Sequence, residues 1–108
     1  MIRLVTDNLR EIRAACDEYD VDRLWVFGSA VRDDWNAEKS DVDFIAKFGE
    51  SERSLFRQHM GLIGQLEDIL GVPVHVVDSR SINRPDFRLE VERTKELLHE
   101  QSRHAILA

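Results

Sequence analysis

Two short features of this sequence hold groups suited to handling a phosphate: the dipeptide Gly28-Ser29 and the pair Asp41 and Asp43. Gly28 closes the apolar run RLWVF and Ser29 opens a tight turn or helix start. Glycine allows close backbone approach to a ligand and unusual φ/ψ values. A helix N-terminus beside it would offer free N–H groups and a positive dipole to an anion, and the Ser29 hydroxyl adds a donor. Asp41 and Asp43 stand two apart at the head of an apolar segment, so on a strand both carboxylates point to one face. About 6–7 Å apart, they would repel by about 2–3 kcal/mol at an effective dielectric near ~20. A hard divalent cation removes that cost, and Mg²⁺ takes one or two carboxylates together with substrate phosphates. A lone GS is a common strand-end turn and a lone DxD is often a solvated strand start. Their succession across a short polar loop is more specific, and points to metal-assisted phosphoryl or nucleotidyl transfer.

Elements that would position these groups can be read along the chain. Val5, Leu9, Ile12, Cys16 and Tyr19 lie on one face of a helix over residues 5–19. Residues 23–27 read as a buried strand, 29–35 as a helical turn or loop, and 41–48 as a second, central strand. A helix over 53–70 is expected to bury Phe56, Met60, Ile63, Leu66 and Leu70, with Gly71 as its C-cap. Residues 72–77 form a third strand, with Pro73 marking a strand start or an edge. A last helix begins near Pro85 and buries Phe87, Val91, Thr94 and Leu98. The charged residues Glu90, Glu92, Arg93, Lys95 and Glu96 read as its solvated flank. This order of elements predicts an α/β (α+β) fold, a small mixed β-sheet flanked by helices.

Composition narrows the partners. The 108 residues suit one compact domain without a separate substrate module. Fifteen basic against twenty-one acidic residues give a net charge of −6, which argues against direct nucleic-acid binding while leaving room for a triphosphate or a basic protein partner. Cys16 is the single cysteine and reads as a core residue. No apolar run has membrane-spanning length and no signal-peptide pattern opens the chain, so the expectation is a cytoplasmic protein with no membrane role.

The segment WVFGSAVRDDWNAEKSDVDFIAKF resembles the signature of the DNA polymerase β-like nucleotidyltransferase superfamily. It is most similar to the minimal nucleotidyltransferases, the antitoxin halves of HEPN/MNT toxin–antitoxin pairs. Eleven residues, 30 to 40, separate Ser29 from Asp41, against roughly ten in the family pattern. The resemblance implies that residues 1–108 form a single domain of nucleotidyltransferase fold. It further implies that Gly28 and Ser29 hold the triphosphate of ATP and that Asp41 and Asp43 ligate Mg²⁺. AMP would pass to a hydroxyl, expected to be a tyrosine, of a partner HEPN-domain ribonuclease toxin, silencing it within a hetero-oligomer. Arg32 occupies the place of the family's arginine after the GS; it contacts phosphate or pairs with Asp33 or Asp34.

The family places a third carboxylate on the third strand, and here that position is His75. A neutral imidazole could serve as general base, or ligate Mn²⁺ better than Mg²⁺, but it supplies no negative charge. His75 is therefore either part of the catalytic set with Asp41 and Asp43 or an ordinary strand histidine. Asp78, three residues on, points to the opposite face of an ideal strand. Trp35, Asn36 and Glu38 are candidates for lining a nucleotide pocket, and His59, His99 and His104 read as surface residues. Two alternatives follow: a catalytically degenerate module that neutralises a toxin by contact, or an enzyme modifying a small molecule, for which the chain has no added domain.

Overall fold

A computed structural model describes residues 1–32, 36 and 41–101. Its elements are α1 (Arg3–Thr6), α2 (Leu9–Glu18), β1 (Val21–Phe27), a 3₁₀ turn (Gly28–Ala30), β2 (Val42–Phe48), α3 (Leu55–Leu70), β3 (Val74–Asp78), a second 3₁₀ turn (Ser79–Ser81), α4 (Pro85–Thr94) and β4 (Glu96–Glu100). The strands form one sheet in the order β3-β2-β1-β4. β1 pairs antiparallel with both β2 and β4. β3 runs parallel to β2, with α3 as the crossover. The expected mixed sheet flanked by helices is therefore what the chain forms, and β2 is central as its apolar residues required.

The sheet is covered on both faces. Leu24, Val26, Val42, Phe44, Ala46, Phe48, Val74, Val76 and Leu98 join Val5, Ile12, Cys16, Leu62 and Leu66 in the larger core beneath α1, α2 and α3. Phe27 and Ile45, from the other face, pack with Ile82 and Val91, and Trp25, Val77 and Phe87 lie against them. Alternation along the strands thus divides the side chains between an α3 face and an α4 face.

Several expectations need correcting. The first helix is broken after Thr6, because the Asn8 side chain donates to the Leu4 carbonyl at 2.8 Å and competes with the helical backbone there. α3 does not bury Phe56 and Met60, which are 73% and 50% exposed. Its inner row is Gln58, Leu62, Leu66 and Leu70, four apart throughout. Gln58 holds a core position because its amide donates to the carbonyls of Tyr19 (3.0 Å), Asp20 (3.4 Å) and Gly49 (3.1 Å), satisfying a buried polar group. Leu98 is buried in the sheet and not on a helix. The helix from Pro85 stops at Thr94, and Lys95 turns the chain into a fourth strand that includes Glu96.

His59 and His99, finally, are not plain surface residues. His59 Nε2 lies 2.6 Å from the Val76 carbonyl and its ring stacks near Phe48 at 5.4 Å. The His99 side chain is largely buried, 3.8 Å from Asp17. His104 is outside the described residues.

Gly71 and Pro73 stand where the sequence places them. Gly71 ends α3 with φ +70° and donates to the Glu67 carbonyl, as a C-cap should. Pro73 stands just ahead of β3, an edge strand, and its carbonyl accepts from Val42 N–H at 3.2 Å. No helix among the described residues is long and apolar enough to cross a membrane.

Candidate functional site

The glycine turn and the acidic strand meet because of the sheet register. Phe27, the last residue of β1, is the cross-strand partner of Asp43, near the start of β2. The next residue, Gly28, is buried and has φ +72°. A Cβ on Gly28 would stand 3.3 Å from Asp43 Oδ2. A left-handed backbone and a carboxylate pressed against it both call for glycine here.

The turn that follows is short. Val31 and Arg32 both donate their N–H groups to the Gly28 carbonyl, at 3.0 and 3.2 Å. Ile2 N–H donates to the Ala30 carbonyl at 2.9 Å, so the start of the chain braces the turn. Only Gly28–Ala30 are helical, in 3₁₀ form. The helix macrodipole that a longer element would contribute is absent, and any phosphate held here would be met by individual N–H groups and the half-buried Ser29 hydroxyl.

Asp43 is the electrostatic centre. Its side chain is 29% exposed. Burial raises its carboxyl above the ordinary range; the nearby His75 opposes this, the Asp41 charge adds to it, and Arg32 opposes it. Asp41 precedes β2 and is exposed. The parallel register places His75 directly beside Asp43, with Nδ1 3.7 Å from Asp43 Oδ1 and the imidazole two-thirds exposed. Asp78 falls with Val74 and Val76 on the α3 face by strand alternation. Burial pushes its carboxyl up, and hydrogen bonds and charge from Arg80 more than offset this, leaving it below the ordinary range. Its oxygens accept from Arg80 N at 2.9 Å and from the guanidinium at 3.1 and 3.3 Å.

Arg32 forms an ion pair with Glu90 at 2.7 Å, a partner the sequence reading did not name. Asp33, Asp34, Trp35 and Glu38 lie outside the described residues, whereas Asn36 is exposed. Glu90 and Thr94 join the site without any signal in the sequence, since nothing local to α4 says which turn it docks on. Gly28 N–H donates to the Thr94 hydroxyl at 3.3 Å. A broad surface hollow lined by Asp20, Glu52, Arg53 and Arg57 opens at the opposite end of β1 and β2. Asp43 is not among its lining residues.

Among the described residues, no group of three His, Cys, Asp or Glu side chains is gathered into a metal cage. The residues present still fit a divalent cation that keeps phosphate and water ligands. Asp43 is held above its ordinary pKa by burial and by a second carboxylate, and a bound cation would relieve both effects.

A buried strand runs into a left-handed glycine that packs against a half-buried carboxylate on the neighbouring strand of an α/β domain. A family model for the nucleotidyltransferase domain matches residues 9–103, and the chain belongs to that family. It is 34% identical over 76 residues to a candidate protein adenylyltransferase of Methanocaldococcus jannaschii, covering 70% of this chain and 75% of that protein. A solved structure of a candidate minimal nucleotidyltransferase superposes with TM-score 0.68 at 33% identity, covering 88% of this chain and 95% of the other. The same fold occurs in a toxin–antitoxin structure with AMP-PNP (TM-score 0.66, 20% identity, 93% of this chain and 79% of that one). It recurs in a complex of a tri-AMPylated HEPN toxin of Shewanella oneidensis with its MNT antitoxin (TM-score 0.61, 18% identity, 94% and 77%).

Proposed function

We propose that this chain transfers AMP from ATP to a hydroxyl, expected to be a tyrosine, of a partner HEPN-domain ribonuclease, and so acts as its antitoxin. The observation that carries the reading is the packing of Gly28 against the Asp43 carboxylate, which sets a phosphate-accommodating turn beside a cation-seeking group. The names of its relatives support it: one is a candidate protein adenylyltransferase, and another is an antitoxin in complex with a tri-AMPylated toxin.

The roles divide among the chain's own residues. Backbone N–H groups of the Gly28–Ala30 turn and the Ser29 hydroxyl bind the triphosphate, with Arg32 adding positive charge from beyond the turn. Asp41 and Asp43 hold Mg²⁺, or Mn²⁺, which when bound stabilises charge developing on the α-phosphate. The acceptor oxygen attacks the α-phosphorus, the bond to the bridging oxygen breaks, and pyrophosphate leaves. His75 takes the hydroxyl proton on its imidazole, a contribution worth about 10²–10⁴-fold.

A second reading has one observation in its favour. His75 stands where the resemblance leads one to expect a third carboxylate, so the chain could neutralise its toxin by contact alone. Intact mass of the partner after incubation with this chain, ATP and Mg²⁺ separates the two. The first reading expects added mass of one or more AMP groups, lost in the Asp41→Ala/Asp43→Ala variant. Unchanged mass with Mg²⁺ and with Mn²⁺, alongside tight binding that survives the double substitution, establishes the second.

A further inference from the structure

α4 meets the glycine turn along one stripe of its surface. Phe87, Glu90 and Thr94 are three and four residues apart and so share a helix face. Phe87 sits edge-on to Phe27 with ring centroids 5.8 Å apart. Glu90 carries the ion pair to Arg32 at 2.7 Å. The Thr94 hydroxyl accepts from Gly28 N–H at 3.3 Å and donates to the Glu90 carbonyl at 3.0 Å. One helix face therefore holds the residue before the turn, its glycine and the arginine beyond it.

We propose that Thr94 is a positioning residue for nucleotide binding, fixing the Gly28 peptide so that the turn meets phosphate in one conformation. This rests on the functional reading above. Glycine populates positive and negative φ about equally when nothing holds it, and Gly28 stands at φ +72° directly against the Asp43 carboxylate. Threonine at a helix end suits the task. Its hydroxyl proton is committed to the carbonyl four residues back, a pattern that selects the side-chain rotamer. The lone pairs then face Gly28, and the hydroxyl acts there as an acceptor only. Valine keeps the shape and removes the bond, whereas serine keeps the bond.

The test uses the full chain with Thr94→Val and Thr94→Ser. Three quantities are measured: ATP affinity by calorimetry with Mg²⁺, hydrogen exchange of the Gly28 amide by NMR without nucleotide, and the urea midpoint. Thr94→Val is expected to weaken ATP binding about three- to tenfold, the range one neutral hydrogen bond covers. It is also expected to speed Gly28 exchange, and Thr94→Ser should restore both. Faster exchange with unchanged ATP affinity overturns the proposal, since the bond is then structural only. So does weakened affinity that follows the urea midpoint and is not rescued by serine. If the unaltered chain binds no ATP, the functional reading fails first and this proposal with it, a result visible before any variant is made.

Discussion

Asp43 and His75 are register partners across parallel strands, a carboxylate and an imidazole 3.7 Å apart at the head of the sheet. Side chains at equal register on one face are neighbours whatever the loops do, so this juxtaposition is a property of the ladder. If His75 takes the acceptor's proton, His75→Ala should slow AMP transfer about 10²-fold or more. His75→Asp adds an oxygen donor and should raise the rate with Mg²⁺ relative to Mn²⁺. The ratio of the two metal-supported rates, measured by partner mass against time, is the check. A ratio unchanged by His75→Asp would place the imidazole outside the metal's surroundings.

Asp43→Asn should separate stability from activity. Burial raises the Asp43 carboxyl above its ordinary value of 3.8, so the fold favours the protonated form. The stability this group contributes is fully present below about that unfolded value, and is lost as pH rises through the raised folded value. Asparagine has no charge to desolvate. In metal-free buffer the variant should melt higher than the parent at neutral pH, with the difference shrinking toward pH 3. Transfer should fall on the order of 10³-fold, as expected when several kcal/mol of metal assistance is lost. Paired melting curves across pH test the first part. A lower melting point at pH 7 would mean that His75 and Arg32 outweigh burial.

Gly28→Ala and Gly71→Ala form a matched pair. Both positions have φ near +70°, but a Cβ meets Asp43 at the first and open space at the second. Each should lose about 1–2 kcal/mol through the backbone conformation. Gly28→Ala should lose more, because Asp43 must move. Denaturant midpoints of the two variants give the difference directly.

Gly61 and Gly64, one helical turn apart on α3, should respond in opposite directions. A Cβ at Gly61 would overlap the Tyr19 ring, while at Gly64 nothing lies within 4 Å. Gly61→Ala is expected to destabilise by about 1–3 kcal/mol through overpacking. Gly64→Ala should stabilise by about 0.5–1 kcal/mol through helix propensity. Urea unfolding of both variants checks the signs.

Cys16 should be inert in the folded protein. It is fully buried, and burial, with the Asp17 charge adding to it, pushes its thiol up to about 12. A thiol reagent at pH 8 should label it only after denaturant is added. Labelling of the native chain at the rate of a free thiol would show that α2 leaves the sheet in solution.

The site was legible in the sequence where local rules govern it. The turn at Gly28 and the buried strand that carries Asp43 follow from apolar runs and a glycine, whereas His75 is matched to a functional position on the third strand only through the family resemblance. What escaped depends on tertiary partners. β4 contains Glu96, Leu97 and Glu100, residues without strong strand preference, and is a strand because β1 offers an edge. Gln58 reads as a surface residue until its three carbonyl acceptors are seen. Glu90 looked like part of a solvated flank, and only the docking of α4 gives it Arg32.

The antiparallel ladder sets the end of β1 against the start of β2, and the parallel ladder sets the start of β3 beside it. Asp43 and His75 are thus placed by strand pairing, and Gly28 follows directly on the paired Phe27. Doubling a connection such as that from β1 to β2 costs only about 0.6 kcal/mol of closure entropy. Residues inserted between Arg32 and Asp41 are therefore expected to leave Phe27, Asp43 and His75 in register.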